Sequence, residues 1–199
     1  MVQPIKLVAF VVVMIAYLWV PISTITQQEK VLKKGATYLF KPRPVDPYDA
    51  FRGRFIWVSI PTPWFDQPPA EPPFTDYQKA YAILARDSSG YAFFEGISHY
   101  EPEDRDYMQV QVLHYDGERQ KVRVDLPNSI QKYYLNEKLA PLAESTYQDL
   151  LRRNREGIDS VGVSLEVKVL NGRALMETIY FDDQKIEDYL REANAKADG

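Results

Sequence analysis

Residues 161–181 read VGVSLEVKVLNGRALMETIYF, and this stretch decides the fold class. Every second residue from Val161 to Val169 is apolar, which is the alternation of a strand with one buried face. The dipeptide Asn171-Gly172 follows, and it favours a type I′ turn with positive φ at both positions. The run that resumes at Arg173 therefore completes an antiparallel β-hairpin.

The same pattern recurs earlier in the chain, so this hairpin belongs to a larger antiparallel sheet or barrel. Two more hairpins, each with a glycine in its turn, are predicted at 80–94 and 108–124, and two more strands at 36–40 and 55–60. We expect the strand at 55–60 to be central and covered on both sides, because both of its faces are largely apolar.

One amphipathic helix interrupts the strands. Apolar residues recur at spacings of three and four between Leu139 and Leu151, with Pro141 in the first turn and Gly157 just past the end. A second helix is predicted at 183–195. The fold class is therefore mainly β (α+β), with an N-terminal transmembrane helix followed by an antiparallel β-sheet or barrel domain and one covering helix.

The N-terminal residues predict a membrane anchor. Residues 7–25 carry no charge, and their number matches the roughly 20 residues of a helix that crosses the hydrocarbon core. A cleaved signal peptide is the alternative, but no A-x-A pattern follows the apolar run. We expect an uncleaved single-pass anchor in a bacterial inner (cell) membrane with the C-terminal domain outside the cytoplasm, although three lysines follow the span.

These patterns divide the chain into four segments. They are an anchor at 1–26, a polar stalk at 27–34, a β-rich domain at 35–182 and a C-terminal helix or tail at 183–199. Within the domain, residues 61–73 contain six prolines. We interpret them as a stiff surface loop rather than a PxxP ligand for a partner.

Composition excludes several classes of function and site. The chain of 199 residues has a net charge of −4 and no cysteine, which excludes disulfide scaffolds and thiolate metal sites and argues against a nucleic-acid partner. His99 and His114 lie on separate predicted strands without the spacing of a zinc site. The acidic run at 101–106 lacks the calcium-loop pattern, so we predict neither a metal nor a cofactor.

The sequence contains no G-x-S-x-G elbow, glycine-rich phosphate loop or H-E-x-x-H motif, and we predict no catalytic residue. The absence of such motifs favours a binding or assembly module over the alternative, an envelope hydrolase that acts on peptide or glycan. Eight aromatic residues are candidates for a ligand groove, although most aromatic residues of a β domain lie in its core. They are Tyr91, Phe93, Phe94, Tyr107, Tyr115, Tyr133, Tyr134 and Tyr147.

The candidate site lies around residues 44–61, PVDPYDAFRGRFIWVSIP. Gly53 precedes the predicted strand, and we expect it to be structural because a glycine at a strand entry is typical of a bulge. Arg52 and Arg54 flank it at the mouth of the sheet, where they are candidate binding residues. Tyr133 and Tyr134 are the other two candidate binding residues.

The same stretch resembles the GDYXXLXY family of membrane-anchored bacterial proteins of uncharacterised function. The eight-residue motif falls on Gly53 to Ile60: Gly53 matches it, Phe55 and Val58 are mild changes, and Arg54 and Ile60 depart from it. Segments at 44–47, 98–102, 131–137 and 171–174 are similar too, so the resemblance covers most of 35–181. It implies an anchored domain and supplies no catalytic residue. From the binding-module hypothesis we expect as partners the membrane, through residues 7–25, and another envelope protein or cell-wall component.

Overall fold

The computed structural model describes residues 4–43, 55–136, 139–157 and 161–197. Within these ranges the chain forms three helices and eleven strands, most of them in one β-rich domain. The helices are α1 (Pro4–Lys34), α2 (Ala140–Arg155) and α3 (Ile186–Ala197), with a short 3-10 helix at Asn128–Ile130. The strands are β1 (Ala36–Phe40), β2 (Phe55–Trp57), β3 (Phe65–Asp66), β4 (Lys79–Arg86), β5 (Ala92–Ser98), β6 (Tyr107–Asp116), β7 (Lys121–Asp125), β8 (Lys132–Tyr134), β9 (Val163–Leu170), β10 (Arg173–Phe181) and β11 (Gln184–Lys185).

The hairpin predicted at 161–181 is confirmed as β9 and β10. Asn171 has φ 49° and Gly172 has φ 75°, which is the left-handed conformation that a type I′ turn requires. Leu165, Val167 and Val169 of β9 are buried, as their alternation indicated. β1 pairs with the other side of β9 and β11 with β10, so this antiparallel sheet has the order β1-β9-β10-β11.

The other two predicted hairpins are confirmed as β4–β5 and β6–β7, which join β3 in a five-stranded antiparallel sheet of order β3-β7-β6-β4-β5. This sheet curls toward a barrel, because Phe65 on one edge strand and Phe94 on the other have ring centroids only 6.3 Å apart. Isolated bridges between Leu39 and Tyr91 and between Met108 and Gly172 join it to the first sheet. The fold is therefore mainly β and antiparallel, as predicted.

The strand predicted at 55–60 forms, but the prediction that it is central is wrong. β2 pairs with β8 alone in the part of the chain that the structure describes, and the two make a separate ribbon. Ile56, Val58 and Ile60 are buried, whereas Trp57 on the opposite face is 37% exposed. The apolar residues of that second face are aromatic side chains at the surface, and periodicity cannot distinguish them from core residues.

The core lies between the sheets and the two C-terminal helices. The apolar stripe of α2, which includes the fully buried Ala143 and Tyr147, packs against β2 and α3. Gly157 has φ 70°, the conformation expected of a glycine just after a helix. Ile186 and Leu190 of α3 are also fully buried, and this helix lies against β10.

Helix α1 is long and apolar enough to cross a membrane once. It does not end where the apolar run ends, because residues 27–34 continue the same helix up to Lys34. Val31 in this last part is only 3% exposed and lies where α1 packs on the β9–β10 hairpin. Arg173 of β10 also donates a hydrogen bond to Gln27. The segment expected to be a stalk is therefore a helical connection docked on the domain.

Candidate binding face

The ribbon of β2 and β8 presents three aromatic rings and one cation on its outer side. Phe55 lies opposite Tyr134, and Trp57 lies opposite Lys132. Directly opposed residues of an antiparallel pair point to the same side of the sheet, so the four side chains share one surface. We call Phe55, Trp57, Lys132 and Tyr134 the aromatic face.

The rings of the aromatic face pack against each other and stay accessible. Phe55 has its ring centroid 5.7 Å from that of Tyr134 and 6.3 Å from that of Trp57. The Lys132 ammonium lies 5.2 Å from the ring centroids of both Phe55 and Trp57, within the range of cation–π attraction. Tyr134 is 68% exposed and Trp57 37%, so the cluster is open to solvent.

The inner side of the ribbon explains why this face holds its position. Ile56 and Val58 are completely buried, and Tyr133 between the strands and the core is 7% exposed. The Tyr133 hydroxyl donates to the carboxylate of Glu187 in α3 and lies 3.4 Å from the hydroxyl of Thr178 in β10. Burial, with the hydrogen bond to Glu187, raises the pKa of Tyr133 well above its usual range. Tyr133 thus joins the ribbon to β10 and α3.

The outer surface of the ribbon continues past the end of β2. Ser59 follows Trp57 on the same side and forms an antiparallel bridge with Arg43, whose backbone amide donates to the Ser59 carbonyl oxygen at 2.7 Å. Arg43 and Arg123 of β7 line a cavity of about 190 Å³ together with Ser59, Thr62 and Gln131. We call this the arginine cavity.

The cations of this region have no carboxylate partner among the residues that the structure describes. The guanidinium of Arg123 lies 5.9 Å from the ring centroid of Trp64, and the Lys132 ammonium lies over the rings of Phe55 and Trp57. Neither they nor Arg43 forms an ion pair within the described ranges. Asp125 lines the arginine cavity, but its carboxylate accepts a long hydrogen bond of 3.4 Å from Gln131 instead.

The predicted site residues fall in three places. Tyr134 and Phe55 are on the aromatic face, whereas Val58, Ile60 and Tyr133 are buried beneath it. Arg52, Gly53 and Arg54, like residues 44–47 of the family resemblance, lie outside the described residues.

Sequence reasoning missed the other members of the face and the cavity. The sequence predicts Trp57 only as one residue of an apolar strand, Lys132 only as part of the family-like segment 131–137, and Arg43 and Arg123 not at all. The one usable signal was the spacing of Phe55, Trp57 and Ser59 at every second position. It assigns them to one face but does not say that β8 lies alongside.

His99 follows the end of β5 and has a structural role there. Its ring nitrogens lie 2.7 Å from the Gln78 side-chain amide and 2.8 Å from the Pro72 carbonyl oxygen. The ring stacks on Phe74 at 3.8 Å between centroids, and the His99 backbone amide donates to Glu71 at 2.7 Å. These contacts fix the proline-rich loop to the end of β5.

The acidic run forms one wall of a cavity of about 550 Å³ beside the β9–β10 turn. Three of its charged groups have partners: Arg105 pairs with Glu95, Tyr107 donates a hydrogen bond to Glu101, and Tyr38 donates one to Asp106. Among the described residues, no group of three or more acidic, histidine or cysteine side chains is arranged to hold a metal ion.

The family resemblance was tested by comparison with known proteins. The family model described as GDYXXLXY protein matches residues 17–179, which is more than half of the chain. The match includes β2, β8 and the β9–β10 hairpin, as well as the second half of the apolar part of α1. No curated protein and no solved structure matches the chain. The chain belongs to the GDYXXLXY protein family.

Proposed function

We propose that the chain is a membrane-anchored binding or assembly module of the bacterial envelope, facing outward from the inner membrane and receiving its partner on the aromatic face. The observation that carries this proposal is the cluster of the exposed Trp57 and Tyr134 with the half-buried Phe55, on a ribbon whose inner side is buried. Tryptophan, tyrosine and arginine are the residues that contribute most to protein interfaces, because they bury large areas with few rotatable bonds.

The fixed geometry of the face supports a binding role. Phe55 is in contact with both other rings, and the buried Ile56 and Tyr133 anchor the same two strands from below. A partner would therefore meet side chains that are already ordered, which lowers the entropy lost on binding. In this proposal Tyr134 contacts the partner, and Tyr133 supports the ribbon from inside.

The proposal assigns roles to the three residues that precede the face in the sequence. Arg52 and Arg54 add positive charge next to Phe55, to which Arg54 is joined by a peptide bond. Gly53 shapes the entry into β2, as glycines at strand entries do. Arg52→Ala with Arg54→Ala should accordingly weaken capture of the partner, and added salt should mimic that loss.

The outward orientation of the domain is a separate part of this proposal. It is tested by adding protease to spheroplasts of cells that carry the protein with a C-terminal tag. The tag should be lost from intact spheroplasts. A tag that is removed only after the membrane is lysed would place the domain in the cytoplasm and refute this part of the proposal.

Binding is tested with detergent-solubilised full-length protein as bait for native envelope extract. Trp57→Ser with Tyr134→Ser should lose the proteins that the wild type captures. Tyr100→Ser is the matched control, because Tyr100 is 66% exposed, close to the 68% of Tyr134, and lies elsewhere on the surface. Equal loss in the control, or no loss in the double variant, would refute a role for the aromatic face.

A further inference from the structure

We propose that the partner presents an extended acidic peptide segment to this surface, with one carboxylate in the arginine cavity between Arg43 and Arg123 and neighbouring side chains on Trp57 and Phe55. This inference rests on the proposed function and adds the chemistry of the partner. It is carried by three features of the surface: its spacing, its charge and the size of the cavity.

The spacing of the surface matches that of an extended chain. Phe55, Trp57 and Ser59 lie on one side of β2 at every second residue, a repeat of about 6.8 Å. The bridge between Ser59 and Arg43 extends this row to the arginine cavity. A peptide laid along the ribbon has the same repeat, so alternate side chains would meet Phe55, then Trp57, then the cavity.

The charge of the surface is complementary to carboxylates. Arg43, Arg123 and Lys132 have no carboxylate partner among the described residues, whereas a cation at the start of β7 and one in the β6–β7 turn do. Lys121 pairs with Asp66 at 2.5 Å, and Arg119 lies 3.9 Å from Asp116. A guanidinium binds a carboxylate through two parallel hydrogen bonds, which gives the arginine cavity a preference for that group.

The size of the cavity points to one side chain of a larger partner. Its volume of about 190 Å³ is below the roughly 300–1,000 Å³ of sites that enclose a whole small molecule. The cavity also opens directly beside the aromatic face, since Ser59 and Gln131 in its wall adjoin β2 and β8. An aspartate or glutamate side chain can enter it while the rest of the segment lies on the rings.

The test measures the fluorescence anisotropy of two labelled peptides with the full-length protein in detergent. One peptide alternates glutamate with valine, and the other has glutamine in place of every glutamate. We expect the glutamate peptide to bind at least about tenfold more tightly at low salt, because each charged hydrogen bond contributes strongly. Equal binding of the two peptides, or no binding of the glutamate peptide, would overturn the inference.

Matched variants locate the carboxylate. Arg43→Gln and Arg123→Gln should each weaken the glutamate peptide about fivefold to tenfold, whereas Arg119→Gln removes the same charge from the β6–β7 turn and should leave binding unchanged. Asp125→Asn should strengthen binding, because Asp125 is the carboxylate that the described part of the cavity wall contains. Arg123→Lys, which keeps the charge, should bind more tightly than Arg123→Gln. If Arg119→Gln weakened binding of the glutamate peptide as much as Arg43→Gln and Arg123→Gln do, the inference would be overturned.

The failure of this inference is distinguishable from failure of the proposed function. If Trp57→Ser with Tyr134→Ser abolishes capture of envelope proteins but Arg43→Gln with Arg123→Gln does not, the face binds a partner that is not acidic. If an oligouronate competes for the face and the glutamate peptide does not bind, the partner is an acidic glycan. Both results overturn the inference and leave the binding face intact, and unchanged melting temperatures show that the variants are folded.

Discussion

Replacing Gly35 with alanine should uncouple the anchor helix from the domain. A Cβ at this position would lie 2.5 Å from the carbonyl oxygen of Val31, and 3.0 Å and 3.1 Å from the backbone oxygen and nitrogen of Val169. All three are backbone atoms, and the Val31 oxygen already accepts a hydrogen bond of 2.8 Å from the Gly35 amide. Relief of all three contacts requires a change in the backbone at the end of α1 as well as movement of Gly35 away from β9.

The expected loss of stability in Gly35→Ala is the cost of overpacking, which is about 1–3 kcal/mol where the surroundings cannot adjust. For a protein of this size that cost lowers the melting temperature by roughly 2–12 °C. The measurement is thermal unfolding of the full-length protein in detergent, followed by near-ultraviolet circular dichroism. Limited proteolysis should also cut residues 27–34 faster in the variant, because Val31 would lose its packing.

Gly96→Ala is the matched control. Gly96 lies within β5, and the nearest atom to its Cβ would be the Ile83 Cδ1 at 4.0 Å, so an alanine fits there. Its melting temperature should equal or slightly exceed that of the wild type, since alanine restricts the unfolded chain more than glycine does. A Gly35→Ala variant that melts like Gly96→Ala would show that α1 does not pack closely on β9, and the reasoning would fail.

Three more predictions concern the hairpin turn, the alkaline limit of stability and the anchor. Gly172→Ala should destabilise the protein by more than about 1 kcal/mol, and by more than Gly157→Ala does. Both glycines have positive φ, but of the two only Gly172 would place its Cβ 2.6 Å from the ring of Tyr107. Equal denaturation midpoints of the two variants would exclude the ring contact. Burial and a hydrogen bond of 2.6 Å to Asp106 raise the pKa of Tyr38 to about 12 from 10.0, so the stability that protonated Tyr38 contributes is complete below pH 10 and is lost as the pH rises toward 12. Denaturant unfolding measured across that range should show this loss in the wild type and not in Tyr38→Phe. An identical alkaline loss of stability in both proteins would contradict this. The mature protein should stay in the membrane fraction after carbonate washing and keep its N-terminal residues, whereas a soluble product that starts near residue 27 would refute the anchor.

The parts of the fold that the sequence predicted are those set by neighbours along the chain. A hairpin needs two alternating runs and a turn, and at Asn171-Gly172 the turn residues themselves favour the positive φ that the structure has. The sequence also predicts helix α2, because the apolar spacing of this helix and Pro141 lie within one short segment. Local physical chemistry is sufficient for such elements.

The candidate site was harder to predict because it depends on a long-range pairing. Phe55 and Tyr134 lie far apart in the sequence, and no turn signal connects β2 with β8. Without that pairing, Trp57 resembles a core residue, and Lys132 has no visible reason to lie over an aromatic ring. The continuation of α1 through residues 27–34 was hidden for another reason: one buried side chain, Val31, is enough to dock a polar helix that composition alone describes as a stalk.

The continuity of α1 also determines how the binding face is presented. Gln27 lies two residues, or about 3 Å along a helix, beyond the predicted end of the span at Ile25, and it accepts a hydrogen bond from Arg173. With residues 7–25 in the membrane, as proposed, the β9–β10 turn would lie close to the bilayer. The chain that leads into β8 follows β10 away from this turn. Ser129 donates a hydrogen bond of 2.6 Å to the Ala174 carbonyl oxygen near the turn, and the Tyr133 hydroxyl lies beside the hydroxyl of Thr178, farther along β10.

Four residues of an extended strand separate those two contacts on β10, a distance of about 13 Å. Tyr133, whose two neighbours on β8 belong to the aromatic face, therefore lies farther along β10 from the β9–β10 turn than Ser129 does. A docked helix fixes the orientation of the domain relative to α1, whereas a flexible stalk would let the domain turn freely. Under the proposed function, a partner on the aromatic face would therefore be held in a fixed orientation relative to the anchor helix, which is a geometry that suits an assembly module.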